Sequence, residues 1–278
     1  MPLPRRLLAA ASVLLLSVYA CGSTPEEQPA PAPAPASTIV DAAPPEVDAG
    51  PGTCLEELTR RGVAFRTTTA RGVVDAVFVT DRLGGVLFAS ETKTTPSTDP
   101  MACAFVLRLL DLAEVLRAHG VSHVGTLGAY CYRCCCAWSP TNDCRSPTDP
   151  EPDCGTNGYS NHSWGRALDL RYVYRDDGRM LDINDAATWV KTAADGTCTT
   201  GLAAQKGDSL FLYELACDIW KKQIFETTLT PNYNAAHRNH WHMDIGESGA
   251  PTSFGIKRFS PAGRPVDTAS GAPGCGDE

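Results

Sequence analysis

Two short stretches decide the fold of this chain: residues 160–169 read SNHSWGRALD, and residues 237–244 read HRNHWHMD. Together they hold four of the six histidines. His162 and Asp169 offer one imidazole nitrogen and one carboxylate, and His242 offers a second nitrogen. Two histidines and one carboxylate hold Zn²⁺ in catalytic sites and leave its fourth position open to water, whereas structural zinc sites are closed. The two stretches therefore predict a metal centre of the open kind.

The spacing of these residues fits neighbouring strands of a sheet. Alternate side chains of a strand share a face, so His240 and His242 are expected to point into one cleft while Trp241 turns to the other side. Asp169 is expected to face His242 from the adjacent strand. An isolated H-x-H pair is typical of surface or core histidines, but the complete ordered pattern is far more specific and favours a metal.

Small and polar residues around the motifs predict how the ligands converge. Gly165 permits a chain reversal between His162 and Asp169. Ser160 is placed to hydrogen-bond to the ligands and fix their orientation. Asp244 is interpreted as a hydrogen-bonding partner near the end of its strand. Two further histidines lie outside the motifs and are interpreted as structural, namely His119 and His123.

Residues 1–21 predict a lipoprotein signal peptide. Two arginines precede an apolar run of thirteen residues, 7–19, which is too short to span a bilayer as a helix. Residues 18–21 read VYAC and resemble a bacterial lipobox, in which Cys21 would become the lipidated first residue. The alternative is ordinary secretion with cleavage nearby. Both interpretations place the protein in the cell envelope, on the periplasmic or outer-membrane side, or outside the cell.

The composition divides the rest of the chain into a linker, a globular domain and a tail. Residues 22–52 are rich in proline and alanine and predict an extended tether. Residues 53–250 are long enough for one domain with its own core, and 251–278 form a tail. The formal net charge of −8 and the lack of basic clusters argue against nucleic acid as a partner.

The chain has twelve cysteines, and lipidation of Cys21 would leave eleven. In an oxidising compartment disulfides are expected, and the odd number leaves one thiol free or paired between chains. The cluster CYRCCC at 131–136 is expected to be cross-linked by disulfides, with a metal site as the alternative; a redox site at 134–136 is a third interpretation. Adjacent cysteines lack the C-x-x-C spacing of reactive thiols, which argues against the redox protein.

Hydrophobic periodicity and turn residues predict an α+β domain: an antiparallel sheet with flanking helices, stapled by disulfides. The expected elements are helices at 54–61, 101–118 and 209–222 (the last capped by Asp208), a hairpin of 73–79 with 86–88, and strands at 121–130, 167–174, 179–183 and on both sides of 231–234.

Three segments closely resemble the bacterial extensin-like carboxy-terminal domain family: 160–170, 176–179 and 229–242. The likeness covers about 54–245. That family looks like a branch of the zinc peptidase fold shared by D-alanyl-D-alanine carboxypeptidases, lysostaphin-type peptidases and the hedgehog signalling domain. The resemblance therefore implies this zinc fold.

The resemblance also implies roles for five residues of the two motifs. The implied zinc ligands are His162, Asp169 and His242. His240 takes a catalytic or transition-state role, with His237 in support.

The chain departs from the family pattern at two places. Arg133 is similar to an arginine that steadies substrate or oxyanion in related enzymes, but the cysteines around it suggest a rebuilt loop. The carboxypeptidases place a glutamate base three residues before the last histidine ligand, where this chain has Asn239. The base would then have to be a histidine.

The expected function is that of an exported zinc-dependent peptidase that acts on the peptides of cell-wall peptidoglycan. The alternative is a catalytically silent, zinc-containing lipoprotein that binds the cell wall or another protein. The histidines beside the ligands favour catalysis, whereas the missing glutamate and the cysteine-rich loop favour binding.

Overall fold

The computed structural model describes residues 52–134, 144–145, 148–151, 154, 159–192, 197–233 and 235–246. Contacts divide the chain into Met1–Asp48 and Ala49–Glu278, and every described residue belongs to the second unit. The expected signal peptide, nearly all of the tether and the tail lie outside the described residues.

Three α-helices form where the sequence predicts them. Helix α1 is Cys54–Arg60, and it begins with a capping box in which Thr53 accepts from the backbone of Glu56 while the Glu56 side chain accepts from the backbone of Thr53. Helix α2 is Cys103–Ala118 and helix α3 is Gly207–Lys221. Leucine, valine and alanine side chains line the buried faces of α2 and α3, so both helices pack into the core.

Nine strands in the described residues form two sheets. In chain order they are β1 (Phe65–Thr67), β2 (Ala76–Val79), β3 (Leu87–Ser90), β4 (Met101–Ala102), β5 (Val121–Gly128), β6 (Ala167–Arg175), β7 (Met180–Asp182), β8 (Thr227–Leu229) and β9 (Trp241–Asp244). The smaller sheet has the order β1-β2-β4. The larger sheet has the order β3-β5-β6-β9-β8, and β7 pairs with the second half of β6.

The hairpin expected from 73–79 and 86–88 is wrong. Strand β2 pairs with β1 on one edge and with β4 on the other, so neither edge is left for β3. Strand β3 instead lies parallel to β5 in the larger sheet. That sheet is therefore mixed, where an antiparallel sheet was expected.

The expected N-cap of the third helix, Asp208, is also wrong. Lys206 is the N-cap of α3, and its side chain makes no capping hydrogen bond. Asp208 lies inside the first turn, where a negative charge interacts favourably with the positive end of the helix dipole.

The larger sheet has a core face and a polar face. Leu170 and Trp241 are fully buried among the side chains of α2 and α3. Their sequence neighbours Asp169 and His242 pair with one another across β6 and β9, and both remain partly accessible. Alternation along the strands therefore separates the hydrophobic core from the polar residues of the two motifs.

Four disulfides staple the described part of the chain. They join Cys54 to Cys103, Cys131 to Cys144, Cys134 to Cys154 and Cys198 to Cys217. Disulfides persist in oxidising compartments, so they indicate an extracytoplasmic environment. Of the helices described, none combines the length and the apolar character needed to cross a membrane.

Candidate metal centre

A short 3₁₀ turn, Asn161–Trp164, carries the first histidine of the site. The Ser160 hydroxyl accepts a hydrogen bond from the backbone N–H of His162 at 3.3 Å, as a cap of this turn. Gly165 ends the turn in the left-handed conformation with φ of 61°, and its N–H donates to the His162 carbonyl at 3.2 Å. The reversal expected at Gly165 is confirmed, and it returns the chain into β6 with His162 beside Asp169.

The three predicted ligands converge. The β6–β9 register places Asp169 directly opposite His242, as expected from the sequence. Asp169 Oδ1 lies 2.9 Å from His242 Nδ1 and 3.3 Å from His162 Nε2. One ligand atom from each of the three residues lies within 4.8 Å of the others.

This arrangement fits Zn²⁺. Donor atoms about 2.0–2.1 Å from a tetrahedral zinc ion lie about 3.3–3.4 Å apart. The distance of 3.3 Å between Asp169 Oδ1 and His162 Nε2 matches this separation, whereas the 2.9 Å between Asp169 Oδ1 and His242 Nδ1 is a hydrogen bond that a metal would lengthen. The opposite nitrogen of His242, Nε2, lies 3.0 Å from Asp244 Oδ2. A carboxylate on the far nitrogen is the usual partner of a metal-binding histidine, because it fixes the ring orientation. Asp244 is thus the hydrogen-bonding partner expected from its position.

The charges of the ligands are strongly coupled. Burial opposes ionisation of Asp169, but attraction to His162 and His240 and hydrogen bonds from His162 and His242 hold the pKa of its carboxyl well below the ordinary 3.8. Burial also disfavours a charged His242, yet its hydrogen bonds to Asp169 and Asp244 raise its pKa from 6.5 to about 10. A metal cation at Nδ1 of His242 would compete with this proton, so metal binding is expected to release protons.

His240 lies next to the ligands but outside the group of three. Its Nε2 is 3.4 Å from Asp169 Oδ1, and its Nδ1 donates to Asn239 Oδ1 at 2.9 Å. With the proton on Nδ1, the lone pair of Nε2 faces the site. Burial lowers the pKa of His240, against the opposing attraction of Asp169, so the ring favours the neutral form. This combination equips Nε2 to accept a proton.

His237 packs behind His240. Its ring centroid lies 5.3 Å from that of His240 and 5.6 Å from that of His242. Burial, followed by repulsion from His242 and His240, lowers the pKa of His237 to about 3. A neutral His237 is therefore a buried, uncharged support for the other two rings.

Arg133 comes close enough to act electrostatically on the site, since its charge contributes to the lowered pKa of His240. Its backbone N–H donates to Ser163 Oγ at 2.9 Å, and its carbonyl accepts from Ser160 N–H at 3.1 Å. Ser163 is fully buried, and sequence reasoning missed it. The sequence offers one signal for Ser163: it is a small hydroxyl residue next to His162, on a turn whose backbone groups need hydrogen-bond partners.

The remaining predicted residues lie elsewhere. His119 faces Asp218 at 3.0 Å, and His123 stacks on Tyr174 with ring centroids 4.1 Å apart. Cys131 and Cys134 are both in disulfides, so neither offers a thiolate to a metal. The next two residues of the cluster, 135–136, lie outside the described residues.

Comparison with known proteins identifies a family for the chain. The family model described as extensin-like protein C-terminus matches residues 53–253. Because the match covers most of the sequence, the chain belongs to this family, as residues 160–170 and 229–242 had predicted. No curated protein and no solved structure matches the chain.

Proposed function

We propose that this protein is an exported zinc-dependent peptidase that hydrolyses peptide bonds of cell-wall peptidoglycan. One observation carries the proposal: ligand atoms of His162, Asp169 and His242 lie within 4.8 Å of one another, and Nε2 of His240 lies 3.4 Å from Asp169 Oδ1. The resemblance of this family to the D-alanyl-D-alanine carboxypeptidase fold supplies the substrate class.

Each ligand has a defined donor atom. His162 Nε2, Asp169 Oδ1 and His242 Nδ1 would hold the metal, and Asp244 would orient His242 from behind. When bound, Zn²⁺ supplies Lewis-acid polarisation of a carbonyl and lowers the pKa of water from 15.7 to about 7.

His240 replaces the glutamate base of the carboxypeptidases. Asn239 keeps the proton of His240 on Nδ1, so Nε2 accepts the proton of the attacking water and later returns it to the leaving amine. His237 holds the ring from behind, and the Arg133 guanidinium balances negative charge that develops on the substrate oxygen.

The proposed location is the cell envelope, with the domain attached to a membrane through lipidated Cys21 and a proline-rich tether. The disulfides support export, and the lipobox-like VYAC at 18–21 supports the anchor.

A second candidate function is a zinc-containing binding module without catalysis. The observation that favours it is Asn239, an amide at the position where the carboxypeptidases carry their base. In this case the cleft would retain peptidoglycan peptides and cut none.

The test incubates purified peptidoglycan with the full chain, produced with its disulfides formed and loaded with zinc. Mass spectrometry compares this sample with a chelated sample and with His240→Ala. New peptide fragments that need both the metal and His240 are the expected result. One zinc bound per chain with no fragments would overturn the peptidase and favour the binding module.

A further inference from the structure

A buried polar cluster behind the site has no part in the chemistry described so far. Asn232 is only 9% exposed, and its side chain hydrogen-bonds to Trp189, Thr192 and Tyr213. Its Oδ1 accepts from Trp189 Nε1 at 3.3 Å and from Thr192 N–H at 3.2 Å. Its Nδ2 donates to Thr192 Oγ1 at 3.1 Å and to the Tyr213 hydroxyl at 3.0 Å. One amide thus joins helix α3, the 189–192 segment and the chain that leads to the site.

We propose that Asn232 is a positioning residue, whose network sets the places of His237 and His240 relative to the metal ligands. The inference deepens the proposed function, because His240 is its general base and His237 packs against the His240 ring. Two separate routes lead from Asn232 to them.

The first route runs forward along the chain. Asn232 lies inside a turn closed by a hydrogen bond from Tyr233 N–H to the Thr230 carbonyl at 2.9 Å. The Tyr233 ring packs on the His237 ring with centroids 5.6 Å apart, and His237 in turn packs on His240. Fixing the turn at Asn232 therefore fixes the aromatic surface on which His237 rests.

The second route runs through the core. Trp189, whose indole N–H is held by Asn232, stacks on Tyr213 at 4.2 Å and meets Trp241 edge-on at 5.7 Å. Trp241 is fully buried and lies between His240 and His242 in the sequence. Trp189 therefore packs against the residue that follows His240, and its position affects where His240 lies.

The three ligands are held by other means. Asp169 and His242 are fixed by the pairing of β6 with β9, and His162 by its own capped turn. Loss of the Asn232 hydrogen bonds should therefore displace His237 and His240 while the ligands stay in place. A role in stability alone predicts no such selectivity.

The experiment uses three variants of the full chain that each remove part of the network: Asn232→Asp, Thr192→Val and Tyr213→Phe. The last two remove single hydroxyl groups, so they remain informative if the first does not fold. The matched control for Thr192→Val is Thr126→Val on β5, which removes a buried hydroxyl that donates to the Ala89 carbonyl and has no bond to Asn232.

Nuclear magnetic resonance of histidine-labelled protein with zinc bound provides a readout that is independent of activity. The ring signals of His237 and His240 should move in the network variants, while those of His162 and His242 and the zinc affinity stay unchanged. Thr126→Val should lower the unfolding temperature without moving any of them. If the network variants leave the His237 and His240 signals in place, or shift all four rings together, the positioning role is wrong.

Measurement of kcat tests the proposed peptidase separately from the positioning role of Asn232. If the protein is a peptidase, misplacement of His240 should reduce kcat by about 10²-fold with little change in KM. If it cuts nothing, the ring signals still decide whether Asn232 positions the two histidines.

Discussion

At the scale of single residues, one carboxylate oxygen organises the site. Asp169 Oδ1 lies within 3.4 Å of a nitrogen of His162, His240 and His242. The convergence of His162, Asp169 and His242 could be predicted because strand alternation and one glycine turn are local rules. The H-x-H spacing also predicted His240 on the same side as His242. Its 3.4 Å approach to Asp169 Oδ1 could not be predicted, because His240 precedes β9 and its position depends on the turn at 237–240.

The division of roles between His242 and His240 gives the first prediction. His242→Ala should lose the metal, because only His162 and Asp169 would remain as ligands. His240→Ala should keep one zinc per chain and lose turnover by about 10²–10⁴-fold, the usual contribution of a general base. Metal analysis after dialysis measures the first effect, and His119→Ala, outside the site, serves as the control. Retention of zinc by His242→Ala would refute the ligand set.

His123 gives a prediction for stability against pH. Burial, with repulsion from Arg82, lowers the pKa of His123 below 6.5, although a hydrogen bond with the Lys93 backbone opposes the shift. The unfolded chain therefore binds a proton more readily, and the His123 contribution to stability is lost as pH falls below about 6.5.

His123→Phe keeps an aromatic ring against Tyr174 and removes the proton-binding group. The drop in unfolding temperature from pH 7.5 to 5.5 should be smaller in this variant than in the parent. Thermal unfolding of both proteins with a chelator present measures the difference. Equal drops in the two proteins would show that His123 is not responsible.

At the scale of elements, the local patterns and the long-range pairings behave differently. The helical stripe of α2, the β6–β7 hairpin and the final pair β8 and β9 follow the sequence, since each depends on neighbouring residues. The expected pairing of β2 with β3 failed because β1 and β4 occupy both edges of β2. A turn signal at 81–85 indicates a bend, but it cannot show which edge is free.

Gly165 gives a prediction at this scale. A Cβ at this position would lie 2.9 Å from Ala102 N and 3.1 Å from Val73 Cγ1, on a backbone with φ of 61°. Gly165→Ala should therefore lose stability twice over: about 1–2 kcal/mol for the left-handed backbone, and more for the clash. The displaced turn carries His162, so zinc affinity should fall as well.

Gly178→Ala is the matched control for Gly165→Ala. Gly178 also has a positive φ, 84°, but a Cβ there would meet nothing within 4 Å. This variant should lose only the backbone contribution and bind zinc as the parent does. Urea unfolding and competition with a chelating dye measure the two quantities. Similar losses in both variants would show that close packing at Gly165 is unimportant.

At the scale of the whole molecule, the disulfides mark the limit of sequence reasoning. The signal peptide predicted an oxidising compartment in which the cysteines pair. Which cysteine pairs with which depends on the segments that the fold brings together. Cys131–Cys144 and Cys134–Cys154 tie down the loop that carries Arg133 beside the His162 turn. Cys131 and Cys134 thus hold the Arg133 backbone against the turn that carries His162.

The Cys54–Cys103 disulfide joins α1 to the start of α2. Its two cysteines are 49 residues apart, so loop closure in the unfolded chain predicts a stabilisation of about 4 kcal/mol. Replacing both cysteines by alanine should lower the free energy of unfolding by about that amount and leave zinc affinity unchanged, because no ligand lies on either helix.

Replacing Cys134 and Cys154, only 20 residues apart, should cost about 3 kcal/mol and also weaken substrate binding through Arg133. Urea titration, chelator competition and KM separate these effects. If removal of Cys54–Cys103 weakened zinc binding as much as stability, the metal centre would depend on the whole core, and its assignment to the β6–β9 register and the His162 turn would be wrong.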